Sequence, residues 1–179
     1  MNQMCHMSLG SKNLRVLVVG CGNMGKSHAM AYHTLDGFEI CGLVSTGESK
    51  VALNEQLGGI YALYDDYYAA LAAQKPDAVC ISTYPDTHEA FAGKALERGC
   101  HVFIEKPLAD SVKGSERVQE AANKAHKKLV IGYILRHHPS WQRFIAISQE
   151  LGKPLVMRMN LNQQSDGDMW TIYRNLMNS

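Results

Sequence analysis

The chain lacks the features that would place it in a membrane or a secretory route. None of its apolar runs approaches the roughly 20 residues that a transmembrane helix needs. The segment Met1–Asn13 has no basic stretch followed by an apolar core, so it reads as a loose tail and not as a secretion signal. Charge of one sign is also missing. Eighteen Lys and Arg stand against 17 Asp and Glu, a formal net charge of +1, which gives no reason to expect nucleic acid or an anionic membrane as partner. Five cysteines, at 5, 21, 41, 80 and 100, include no C-x-x-C pair, which argues against a zinc site. Cys41, Cys80 and Cys100 fall in or beside apolar runs, where a free thiol packs as a small hydrophobe. A reduced, cytoplasmic protein is the simplest account of them. There is no internal repeat and no low-complexity segment.

What is present is alternation. Short unbroken apolar runs at Leu14–Val19, Glu39–Val44, Ala78–Ser82, His101–Ile104 and Leu129–Ile131 read as buried strands, with a brief extended piece at Tyr61–Tyr64. Helical segments lie between them, at Met24–Leu35, Ser49–Leu57, Asp65 or Asp66 to Ala73, Thr87–Arg98 and Asp110 or Ser111 to Lys128. Asp86 and Glu89 have the spacing of a capping box for the fourth of these. Pro139 suits the first turn of a last helix ending at Gly152, with Trp141, Phe144, Ile145 and Ile147 on its apolar side. Strands alternating with helices predict an α/β fold with a doubly wound parallel sheet, over residues 14–152. Such sheets bind ligands at the carboxyl ends of their strands.

Gly20-Cys-Gly22-Asn23-Met24-Gly25 stands at the first such end, as G-x-G-x-x-G between a strand and a helix. Gly20 permits the tight turn, Gly22 lets a pyrophosphate approach the backbone, and Gly25 lets the helix pack closely on the sheet. The helix start, with Asn23 and Met24, adds free N–H groups and the positive end of its dipole. This is a dinucleotide-binding pattern.

Two later segments narrow it: Ser82-Thr83-Tyr84-Pro85-Asp86-Thr87-His88, and Gly99-Cys-His101-Val-Phe-Ile-Glu105-Lys106-Pro107-Leu108. With the glycine loop they resemble the glucose–fructose oxidoreductase/inositol dehydrogenase (Gfo/Idh/MocA) family over about residues 14–162. The resemblance implies a nicotinamide-binding Rossmann domain followed by an open-faced α+β domain, and oxidation or reduction of a sugar, inositol or related polyol. It implies that Lys106 is the catalytic lysine beside the nicotinamide, that Pro107 follows a cis peptide, and that Glu105 orients Lys106 or the nicotinamide ribose. Thr83, Pro85 and His88 would line the path from adenine to nicotinamide, with packing at a helix start an equal reading of His88. Arg136 would lie near the substrate mouth. His137 and His138 are adjacent in a loop and diverge, so no metal is expected there.

The cofactor is expected to be NAD or NADP. An acidic residue about 20 residues past the glycine loop would favour NAD. Ser45-Thr46-Gly47 stands there instead, and the hydroxyls with Lys50 tip the reading toward NADP. Residues 153–179 read as the start of an incomplete second domain, with a half-buried strand at Pro154–Asn162 whose edge invites self-association into a homo-oligomer. The proton-shuttling G-x-H-x-x-D-like segment typical of the family's second domain does not occur. The expectation is therefore a cofactor-binding portion without turnover of its own, and the alternative is a non-catalytic dinucleotide-binding or regulatory module.

Overall fold

The computed structural model describes residues 12–153, together with Val156 and Arg158. Six strands, β1 (Leu14–Val19), β2 (Phe38–Val44), β3 (Leu63–Tyr64), β4 (Ala78–Ile81), β5 (His101–Ile104) and β6 (Leu129–Ile131), form one sheet in the order β3-β2-β1-β4-β5-β6. Every pairing is parallel. This is the doubly wound Rossmann order, with its topological switch between β1 and β4.

Alternate residues of each strand face opposite sides, and both sides are covered. Val16 and Val18 of β1, with Ile40, Leu43 and Cys80, pack under α1 (Asn23–Thr34) and α2 (Ser49–Gln56) through Ala29 and Leu53. Leu17, Val19, Val79, Ile81, Val102 and Ile104 face α3 (Tyr67–Gln74), α4 (Pro85–Glu97) and α5 (Val112–Ala125). The helices meet this second face with Tyr67, Ala70, Leu71, Ala92, Ala95, Leu96, Val118 and Ala122. Each such large aliphatic side chain contributes about 2 kcal/mol by leaving water.

Strand register places the site. Tyr64, Val44, Val19, Ile81, Ile104 and Ile131 form one row across the sheet. The next residue on each strand is therefore Asp65, Ser45, Gly20, Ser82, Glu105 or Gly132, so residues far apart in sequence converge on one edge.

The helix ends follow local chemistry, with one correction. Asp66 caps α3 by accepting from the Ala69 amide at 2.7 Å, and Ser111 caps α5 by accepting from Gly114 at 3.1 Å. The Asp86/Glu89 capping box does not form. α4 starts earlier, with Tyr84 as N-cap and Pro85 in the first turn, because proline needs no N–H partner there. Glu89 instead takes two hydrogen bonds from Arg117 of α5, at 2.6 and 2.9 Å.

The compact unit that holds the sheet ends at Ile134, and a second begins at Leu135. Within the second, α6 (Pro139–Glu150) is capped by His138, and its Phe144, Ile145 and Ile147 are exposed. Apart from Val156 and Arg158, the strand expected at Pro154–Asn162 lies outside the described residues.

Candidate cofactor cleft

β1 runs into Gly20, whose φ of +89° only glycine adopts freely. Its N–H donates to the Val44 carbonyl at 2.8 Å, and a Cβ at this position would run into the Ser82 carbonyl. A Cβ on Gly25 would collide with the Gly20 carbonyl, so α1 reaches this close to the sheet only because residue 25 has no side chain. Gly22 differs. It is the N-cap of α1 and makes no side-chain cap bond, and a Cβ there would meet nothing within 4 Å. The first-turn N–H groups of α1, at Asn23 and Met24, thus carry no side-chain cap.

This loop forms part of the lining of a cleft of about 490 Å³. Gly20, Cys21 and Gly22 contribute from the loop, Ser45 and Thr46 from the end of β2, Asp65–Tyr68 from the turn before α3 and its first residues, and Ser82–Tyr84, Asp86 and Thr87 from the turn before α4 and its first residues. Hydroxyls pair along its wall, Ser45 with Ser49 at 2.9 Å and Thr83 with Thr87 at 2.7 Å. Burial pushes the Cys21 thiol up to about 11, with the Lys50 charge pulling the other way, so it remains a neutral lining group. Lys50 itself is 8% exposed, and its Nζ donates to the Gly47 carbonyl at 2.8 Å and to Asp65 at 2.7 Å. The ammonium that sequence reading offers to a 2′-phosphate is thus held by Gly47 and Asp65. Among the described residues, the charged ones lining the cleft are three aspartates, 65, 66 and 86.

The second part of the edge is the turn after β5. Glu105 is 5% exposed, whereas Lys106 is exposed and its ammonium pairs with no described residue. The Lys106–Pro107 peptide is cis. His88, in the first turn of α4, is fully buried. One ring nitrogen, Nδ1, lies 2.7 Å from the Pro107 carbonyl, and Nε2 lies 3.2 Å from that of Thr83. This ring therefore bridges the turns after β4 and β5 and does not line the cleft. The Glu105 carboxylate lies against His28 of α1, with Nε2 and Oε1 2.8 Å apart.

Of the residues singled out in the sequence, Gly20, Gly22, Ser45, Thr46 and Thr83 line the one cleft. Gly25, Asn23 and Met24 form the helix start behind it, and Pro85 opens α4. Glu105, Lys106 and Pro107 occupy the neighbouring turn. Arg136 belongs to the second unit, in a 3-10 turn at Ile134–Arg136. Sequence reading missed Asp65, Asp66 and Tyr84 as cleft residues and His28 as a partner of Glu105. Asp65 and Asp66 carry a sequence signal only as the start of a helix. His28 carried no local signal, since its partner lies 77 residues away.

The family model for Gfo/Idh/MocA, an oxidoreductase family with an NAD-binding Rossmann fold, matches residues 14–133. The chain belongs to the Gfo/Idh/MocA family. Among curated relatives of this family member, inositol 2-dehydrogenase from Klebsiella pneumoniae is 29% identical over 167 residues, covering 89% of this chain and 49% of the relative. Among solved structures, an NAD-binding protein from Listeria innocua is 28% identical with a TM-score of 0.69, over 79% of this chain and 41% of that one. A 3-ketoreductase from Actinomadura kijaniata in complex with TDP-benzene and NADP is 25% identical with a TM-score of 0.70, over 79% and 44%. The chain spans about half the length of the curated relatives it matches.

Proposed function

We propose that this chain is the dinucleotide-binding portion of an oxidoreductase that acts on an inositol, a sugar or a related polyol. The observation that carries the reading is Gly22. It stands at an uncapped helix start with open space where a side chain would be, beside a hydroxyl-lined cleft at the sheet's topological switch. Those features fit a nicotinamide dinucleotide. The α1 N-terminus would hold the pyrophosphate, and Ser45, Thr46 and Thr83 would hydrogen-bond its ribose hydroxyls. The acidic lining and the engaged Lys50 suit an unphosphorylated ribose, hence NAD, better than a 2′-phosphate.

The bound cofactor supplies the hydride acceptor or donor. What the chain adds is Lys106. Its exposed ammonium, which pairs with no described residue, can donate a hydrogen bond to a substrate hydroxyl and stabilise the alkoxide character that grows at that oxygen as the carbon–hydrogen bond breaks. The relative named as an inositol 2-dehydrogenase supports the polyol substrate.

Calorimetric titration with NADH and NADPH tests the reading. Saturable binding of at least one is expected, and no heat from either at about 1 mM, a ceiling of about −4.1 kcal/mol, would overturn it. In a form that turns over a polyol, Lys106→Ala is expected to lower kcat by about 100-fold or more, with the cofactor KM within about threefold. Equal losses in both would assign the lysine to binding instead.

A further inference from the structure

A carboxylate as buried as that of Glu105 is costly to hold without partners. Its surroundings are closed. Oε2 accepts from the Lys106 backbone amide at 3.3 Å, and Oε1 lies 2.8 Å from His28 Nε2. On the β6 side it fills the space that a side chain at residue 132 would take, with a Cβ there falling 2.9 Å from Oε1 and 3.2 Å from Oε2. Among the described residues, His28 is the only side chain that bonds it. His28 is itself held at two points, since its ring also packs edge-on against Phe103, with centroids 4.6 Å apart.

The placement of this pair gives it meaning. His28 sits one turn beyond Gly25 on α1, the helix whose N-terminus faces the cleft. Glu105 directly precedes Lys106. Their bond is the only hydrogen bond between α1 and residues 101–107 among the described residues. We infer that His28 is a positioning residue which, through Glu105, locks the turn carrying Lys106 to the phosphate-facing helix, so that the two ends of a dinucleotide site are held in one frame.

This rests on the dinucleotide reading above. It assigns His28 to the nicotinamide end, although the residue lies on the helix of the phosphate end. Removing the ring leaves the buried carboxylate with the Lys106 backbone amide and no side-chain partner among the described residues, and relaxation falls on the 105–107 turn. The glycine loop, held by Gly20 N–H to Val44 and by the close approach of Gly25, keeps its shape.

The test compares NADH with ADP-ribose, which keeps the diphosphate and lacks the nicotinamide, on the whole chain. The wild-type chain is expected to bind both. His28→Leu should weaken NADH by about tenfold while ADP-ribose stays within about twofold. His28→Gln, which restores an N–H donor, should recover most of the NADH affinity. Gly132→Ala presses a methyl group on the same carboxylate with His28 intact. It should reproduce the selective loss, and it serves if His28→Leu does not fold. Equal losses for both ligands, or none in either variant, would overturn the inference. If the wild-type chain binds neither ligand, the dinucleotide reading falls first and the inference with it.

Discussion

Two turns at the same edge of the sheet are built on opposite principles. The Gly20–Gly25 bend is made by leaving side chains out: a left-handed glycine, a helix start with no side-chain cap, and a helix seated against a carbonyl. The turn after β5 is made by burying charge. Glu105 is enclosed and bonded to His28, and the His88 ring joins the backbone of that turn to Thr83. The first arrangement leaves backbone N–H groups ready for a phosphate. The second puts one exposed ammonium on a base that cannot shift without unpairing a buried carboxylate. An anion needs many weak, fixed donors, whereas a reacting hydroxyl needs one group held at one place.

The contrast breaks first at Gly20. Gly20→Ala must take a φ of +89° and push on the Ser82 carbonyl. It is expected to destabilise the fold by about 3 kcal/mol in urea melts and to abolish NADH binding. Gly22→Ala sharpens the contrast, because it meets only open space. Stability should be unchanged while NADH affinity falls by about tenfold, and a matching loss of stability would show that Gly22 serves the fold. NAD is expected to bind several-fold tighter than NADP, by roughly 1 kcal/mol, given the aspartate-lined cleft. The reverse order would mean that Lys50 leaves Asp65 for the ligand.

Alkaline stability probes the buried core of the same sheet. Burial raises Cys21 and Cys41 from 9.0 to about 11, and Cys80 to about 12. Their raised values favour the folded state below pH 9, and that contribution is lost as pH climbs from 9 through about 11 for Cys21 and Cys41 and about 12 for Cys80. Melts across this range should show a falling Tm that flattens when the three are replaced by Ala or Ser. The smallest effect belongs to Glu89→Gln. Hydrogen bonds from Arg117 hold this carboxyl below its ordinary value of 4.5, so its contribution is present above that pH and fades below it. Being exposed, the pair should move Tm by no more than about 2 °C.

The edge is readable in sequence to the extent that its causes are local. Leu14–Val19, His101–Ile104 and Leu129–Ile131 have the same bounds in the sequence reading and in the structure, since each is an apolar run closed by a breaker or a polar group. The glycine loop is legible for the same reason. α4 shows where local signals compete: Asp86 and Glu89 match a cap by spacing, but Pro85 opens the helix earlier and Arg117 draws Glu89 away. Glu105 was legible as a member of a motif, yet its partner was not. The His28 contact exists only after α1 and β5 have docked on one sheet. Asp65 enters the cleft in the same way, through strand register and not through its neighbours in the chain.

The central claim is that a dinucleotide spans the two turns, diphosphate at the glycine bend and nicotinamide toward Lys106. Backbone amide NMR shifts of the full chain, followed during titration with NADH, test it most directly. The account predicts saturating shifts at residues 20–25 and at Lys106, with ADP-ribose reproducing only the first set. Shifts confined elsewhere, or identical at Lys106 for both ligands, would contradict it.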